Sequence, residues 1–162
     1  MVYRKLSVRV LSLLIVSISC ICCHKKDSLP VHGTFTWNVS NTSFKADSFA
    51  TAQKGTNMAG QSIIEIWGVS STQNTLQINL SPIKNGPATY TAGISQLANS
   101  NVVTLTSSGQ NYSADNYNGS AATVTIVVTE QTDKEIKGTF NGNVSSSTGN
   151  LLPINGSFDM NF

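Results

Sequence analysis

Cysteine is almost absent from this chain. Its three cysteines, Cys20, Cys22 and Cys23, cluster near the N-terminus, so a domain built from the rest is neither disulfide-stapled nor a thiol enzyme. Histidine is nearly as scarce, with only His24 and His32. That excludes a multi-histidine metal site and argues against Ser-His-Asp or Cys-His catalysis. Cys22, Cys23 and His24 have no second ligand cluster downstream, so no metal and no cofactor are expected. Charged residues make up 11% of the chain, and no arginine follows Arg9. Counted from Cys20 onward, seven lysines face eight acids, a side-chain net of −1. The formal net of +2 for the whole chain therefore belongs to its first residues, and the basic footprint of a nucleic-acid binder is missing. Amphipathic helical stretches are missing too. Residues 95–101 offer at most one helical turn.

What stands at the N-terminus is an address. Arg4, Lys5 and Arg9 form a basic region and residues 10–18 a short apolar one, the layout of an export signal. The apolar run is too short to span a bilayer, which takes about 20 residues. Ile18-Ser19-Cys20 then resembles the lipobox of bacterial lipoproteins, a small residue followed by the cysteine that is lipidated. Ser17 stands where that pattern usually has leucine, and Cys22 and Cys23 are alternative acceptors. The expected division is a lipoprotein signal over residues 1–19, a lipidated Cys20 with a polar tether over 20–30, and one domain over 31–162. A domain of this size hides about 70% of its unfolded surface and needs no staple.

The domain reads as strands. Residues 122–162 contain three runs with a period of two: Ala122, Val124, Ile126 and Val128; then Ile136, Gly138, Phe140, Gly142 and Val144; then Ile154, Gly156, Phe158, Met160 and Phe162. Such alternation marks half-buried strands. Upstream, Phe35, Trp37 and Val39 alternate inward, residues 44–52 form a second run, and Ile64 and Ile66 oppose Ile63, Glu65, Trp67 and Val69. Leu76, Ile78 and Leu80 follow, then shorter runs over 89–94 and 102–106. Residues 107–119 read as the longest irregular segment. Short strands at this spacing without helices indicate an antiparallel β-sandwich or flattened β-barrel of about eight to nine strands, largely a meander. Gly33-Thr34-Phe35, Gly138-Thr139-Phe140 and Gly156-Ser157-Phe158 repeat one pattern, in which a small residue leaves room for a neighbouring ring.

The aromatic–Asn–turn–Phe-Lys-Ala stretch within residues 35–47, Ala88-Thr89-Tyr90-Thr91-Ala92-Gly93, and the Gly-Thr-Phe and Gly-Ser-Phe repeats carry a resemblance. The chain resembles a family of small uncharacterised lipoproteins of Gram-negative bacteria, a domain of unknown function. The resemblance implies an envelope location and brings no activity and no catalytic residues.

Residues with chemistry are few. Glu65 reads as a solvent-facing acid, and Asp115, Asn116 and Asn118 read as a turn without the EF-hand spacing. Trp37 and Trp67 are expected in the core. Tyr112 and Tyr117, with Asp115, are the candidates for ligand contact. These features point to a non-enzymatic binding or structural accessory module, lipid-anchored at the outer membrane on its periplasmic face or at the cell surface, with a ligand or envelope partner and no nucleic acid. The alternatives are a hydrolase built on two carboxylates and a calycin-like barrel carrying a small apolar ligand. The first needs two carboxylates converging in a cleft, the second a continuous apolar cavity.

Overall fold

The computed structural model describes residues 31–94, 101–115 and 121–162. Cys20, Cys22, Cys23, Tyr117 and most of the expected helical turn lie outside them. The described chain is all-β and forms one antiparallel sheet of eleven strands that curls into a half-barrel. In chain order these are β1 (Gly33–Val39), β2 (Thr42–Lys45), β3 (Phe49–Thr56), β4 (Ser62–Val69), β5 (Thr75–Leu80), β6 (Ala88–Ala92), β7 (Val102–Ser107), β8 (Gln110–Ala114), β9 (Val124–Gln131), β10 (Glu135–Ser146) and β11 (Leu151–Asn161). Nine of them run β2-β1-β11-β10-β8-β7-β5-β4-β3, while β9 pairs with β10 and β6 with β9.

The long strand β10 is where the sheet branches. Its first part pairs with β9 from Ile136 to Gly142, and its end pairs with β8 through Ser145↔Ser113 and Ser146↔Tyr112. An irregularity in the β9 ladder falls between Lys137 and Gly138, the kind of local bulge that bends a strand and tightens its twist. The curl brings the far edge back. His32 N–H donates to the Ala50 carbonyl and Asn161 N–H to the His32 carbonyl, both at 2.9 Å, so this residue joins β3 to β11. Beside it, Lys54 donates to the Thr132 carbonyl at 3.0 Å and lies 4.4 Å from the centre of the Phe162 ring.

The alternation expected for β9, β10 and β11 holds. Val124, Ile126, Val128, Ile136, Phe140, Val144, Ile154, Phe158 and Met160 are all buried. Rings fill the interior. Phe35 lies 5.4 Å from Trp37 and 6.1 Å from Phe140, and Trp37 stacks on Phe44 at 5.9 Å. The Gly-X-Phe repeat proves to be a reciprocal exchange between β10 and β11. Gly138 faces Phe158 and Phe140 faces Gly156, and a Cβ at either glycine would come within 2.5 Å of the facing ring. Each ring thus occupies the space that a side chain would need. Gly33 in β1 instead lies against the backbone of Asp159 and Met160.

Two hairpins share one turn chemistry that sequence reading missed. In Ser70–Asn74 and Ser146–Asn150 the first serine's N–H donates to the last asparagine's carbonyl, at 2.9 and 3.0 Å. The same serine hydroxyl accepts from that asparagine's N–H at 3.1 and 3.2 Å and contacts the threonine hydroxyl between them at 3.0 and 2.9 Å. Side-chain oxygens thus satisfy amides that the ladder leaves open. The left-handed position falls on Gly149 in one loop and on Gln73 in the other.

Two stretches differ from expectation. The run 44–52 breaks into β2 and β3, because the Ala46 N–H turns to the Phe35 carbonyl at 2.9 Å and the Ser48 N–H to the Val69 carbonyl at 3.1 Å. Residues 107–119 are not irregular throughout, since Gln110–Ala114 is β8, paired with β7 around a Ser108-Gly109 turn.

Phe158 is 2% exposed, whereas Asp159, one position along, faces solvent. Phe158→Ala is expected to cost about 3–5 kcal/mol and Asp159→Ala no more than about 0.5 kcal/mol. Chemical denaturation measures both. Equal, small effects would mean that β11 is not part of the core.

Candidate functional site

Tyr112 lies on β8, not in a loop. It pairs with Leu105, shares the inward face, and is half-buried against the core, its hydroxyl donating to the Gln110 side-chain oxygen at 2.8 Å. Asp115 follows the end of that strand. Tyr117 lies outside the described residues.

Trp67 corrects the other aromatic expectation. Trp37 is buried at 1% exposure, but Trp67 is 45% exposed. The reason is parity. Ile64, Ile66 and Gly68 of β4 face inward, so Trp67 must share the outer face with Glu65. That parity was readable in the sequence, but the apolar surroundings of Trp67 hid its consequence. Phe49 meets the ring edge-on, 5.3 Å between centroids at 78°.

Register places Trp67 in a row across the outer surface. Thr51 pairs with Trp67, Trp67 with Gln77, Gln77 with Thr104, Thr104 with Ser113, and Ser113 with Ser145. Amides in and beside the row are held in place. Gln53 donates to Glu65 at 2.6 Å and Gln77 to Asn79 at 3.2 Å. At its far end the row enters an open groove of about 430 Å³ where β8 meets β10, lined by Thr104, Leu105, Thr106, Asn111, Tyr112, Ser113, Ser145 and Ser147. None of these carries a charge.

A second groove, of about 310 Å³, lies along the free edge of β6 and is lined by Ser81, Pro82, Lys84, Thr89, Tyr90, Thr91, Ile94 and Asn101. Its polar groups mostly serve the fold. Lys84 Nζ donates to the Thr89 carbonyl at 3.1 Å, Asn101 Nδ2 to the Thr91 carbonyl at 3.3 Å, and Lys84 N–H to the Tyr90 hydroxyl at 2.9 Å. Capped carbonyls of this kind guard an edge strand against further pairing.

The acids do not gather in either groove. Glu130 and Glu135 do converge, but on Lys137 at 3.3 Å each, on the outward side of β9 and β10. Hydrogen bonds that Lys137 donates first to Glu135 and then to Glu130 raise its pKa above the ordinary lysine value. Among the described residues, no three or more His, Cys, Asp or Glu side chains group as metal ligands. Comparison with known proteins finds no matching family model, curated protein or solved structure.

Asp47 fastens the β4–β5 turn from outside. Its carboxylate accepts from the Ser71 N–H at 2.6 Å and from the Ser71 hydroxyl at 3.1 Å. The backbone bond above all, then the hydroxyl and the Lys45 charge, lower its pKa below the ordinary 3.8 against the opposing effect of desolvation. A lowered carboxylate pKa contributes stability that is full above the unfolded value and is lost as pH falls through the folded one. Asp47→Ala should therefore lower Tm at pH 7, and the gap to wild type should close as the pH is taken well below 3.8. Thermal melts across that range decide it, and a gap independent of pH would contradict this role.

Proposed function

We propose that this chain is a non-enzymatic binding module of the bacterial cell envelope, anchored at the outer membrane by lipid on Cys20, as in the lipoproteins that it resembles. The observation that carries the binding part is Trp67, a large aromatic left exposed on a face whose other aromatic, Phe49, braces it. Large side chains of this kind supply contact area at little entropic cost. The anchor rests on the basic and apolar leader followed by Ile18-Ser19-Cys20. Neither groove contributes a carboxylate or a histidine among its described lining residues, which favours binding over hydrolysis.

Labelled palmitate and cell fractionation test the anchor. Wild type should carry label and sediment with membranes, and Cys20→Ala should carry none and appear in the soluble fraction. Label persisting in Cys20→Ala would overturn the Cys20 assignment in favour of Cys22 or Cys23.

A further inference from the structure

We infer that the outer row from Trp67 to the groove at β8 and β10 binds a neutral polysaccharide, with a sugar ring stacked on the indole. This rests on the binding-module reading above. The row Thr51, Trp67, Gln77, Thr104, Ser113 and Ser145 crosses six neighbouring strands. At the usual strand spacing it extends roughly 24 Å. One aromatic plane is followed by the amide of Gln77 and the hydroxyls of Thr104 and Ser113, while Ser145 at the end is buried with its hydroxyl donated to the Ser146 carbonyl. The groove that receives the row is lined by uncharged residues.

That sequence of groups selects a chemistry. A pyranose presents an apolar C–H face, which suits an indole, and a rim of hydroxyls that both donate and accept. Amide and hydroxyl side chains also do both, whereas ammonium and carboxylate groups do only one. The T-shaped contact with Phe49 braces the Trp67 ring, so little rotamer freedom is lost on stacking. Nucleic acid and acidic glycans need cations, and an anionic lipid surface needs a basic cluster. The row offers neither. A protein hot spot sets its aromatic within a largely desolvated patch, but here the neighbours along the row are polar.

Affinity electrophoresis of the full-length chain in mild detergent tests this, with mixed-linkage β-glucan, xylan or galactomannan in the gel and alginate as the acidic comparison. At least one neutral polysaccharide should retard the protein, with little change at higher salt. Trp67→Ala should weaken binding about tenfold or more, equivalent to about 1.4 kcal/mol, and Trp67→Tyr should retain most of it. Thr139→Ala, an exposed position on β10 outside the row, should bind as wild type does. Oligosaccharides of the bound glycan should shield Trp67 from acrylamide quenching, with buried Trp37 as the internal baseline. Retardation by none of the neutral polysaccharides overturns the inference and leaves the anchored module to stand on the Cys20 result. Binding that survives Trp67→Ala, or that favours alginate and fades with salt, overturns the inference and this face with it. Dissociation of a dimer by Trp67→Ala would instead make the face a contact between copies.

Discussion

Aromatic rings seated on glycines hold this sheet in its curl. Phe35 of β1 crosses the interior to Gly68 of β4, where an added Cβ would lie 2.6 Å from its ring. The same ring lies edge-on to Phe140, which itself rests on Gly156. A curled sheet has too little interior for large side chains on both walls at native packing density. Pairing a ring on one strand with a bare backbone on the facing strand resolves that conflict. The irregularity beside Gly138 and the return of β3 to His32 then let the bend close without a second sheet.

The same economy shapes the outside. On the outer surface, strand parity decides what is displayed. Over most of that surface the displayed residues are hydroxyls and amides that bond one another, as in Thr36 to Ser157 at 3.2 Å and Asn38 to Asn155 at 2.8 Å. Trp67 interrupts this pattern, and the edge strand β6 is closed to further pairing by Lys84 and Asn101.

The sequence was most legible where one face is strictly apolar. Alternation in β9, β10 and β11 is unambiguous, and the small residue before each aromatic announced the ring seats at Gly138 and Gly156. It was less legible where distant partners decide. Residues 44–52 divide because their two ends pair with different strands, β1 and β4, with a local Asp47 N–H to Lys45 carbonyl bond between them. Strand β8 hides because Gln110, Asn111 and Ser113 give it a polar composition, although Ser108-Gly109 signals its turn. Trp67 was misplaced because Ile63, Ile64 and Ile66 make the run apolar on both faces. Its parity with Glu65 was the better guide.

The central claim is that ring and glycine share one space across the interior, and a double-mutant cycle between Gly68 and Phe35 measures it. Gly68→Ala overpacks the seat and should cost about 1–3 kcal/mol. Once Phe35→Leu has removed the ring, the same substitution should cost less, giving a coupling of about 0.5–3 kcal/mol in urea denaturation. Strictly additive effects would contradict the account, because they would mean that the Phe35 ring does not occupy the space above Gly68.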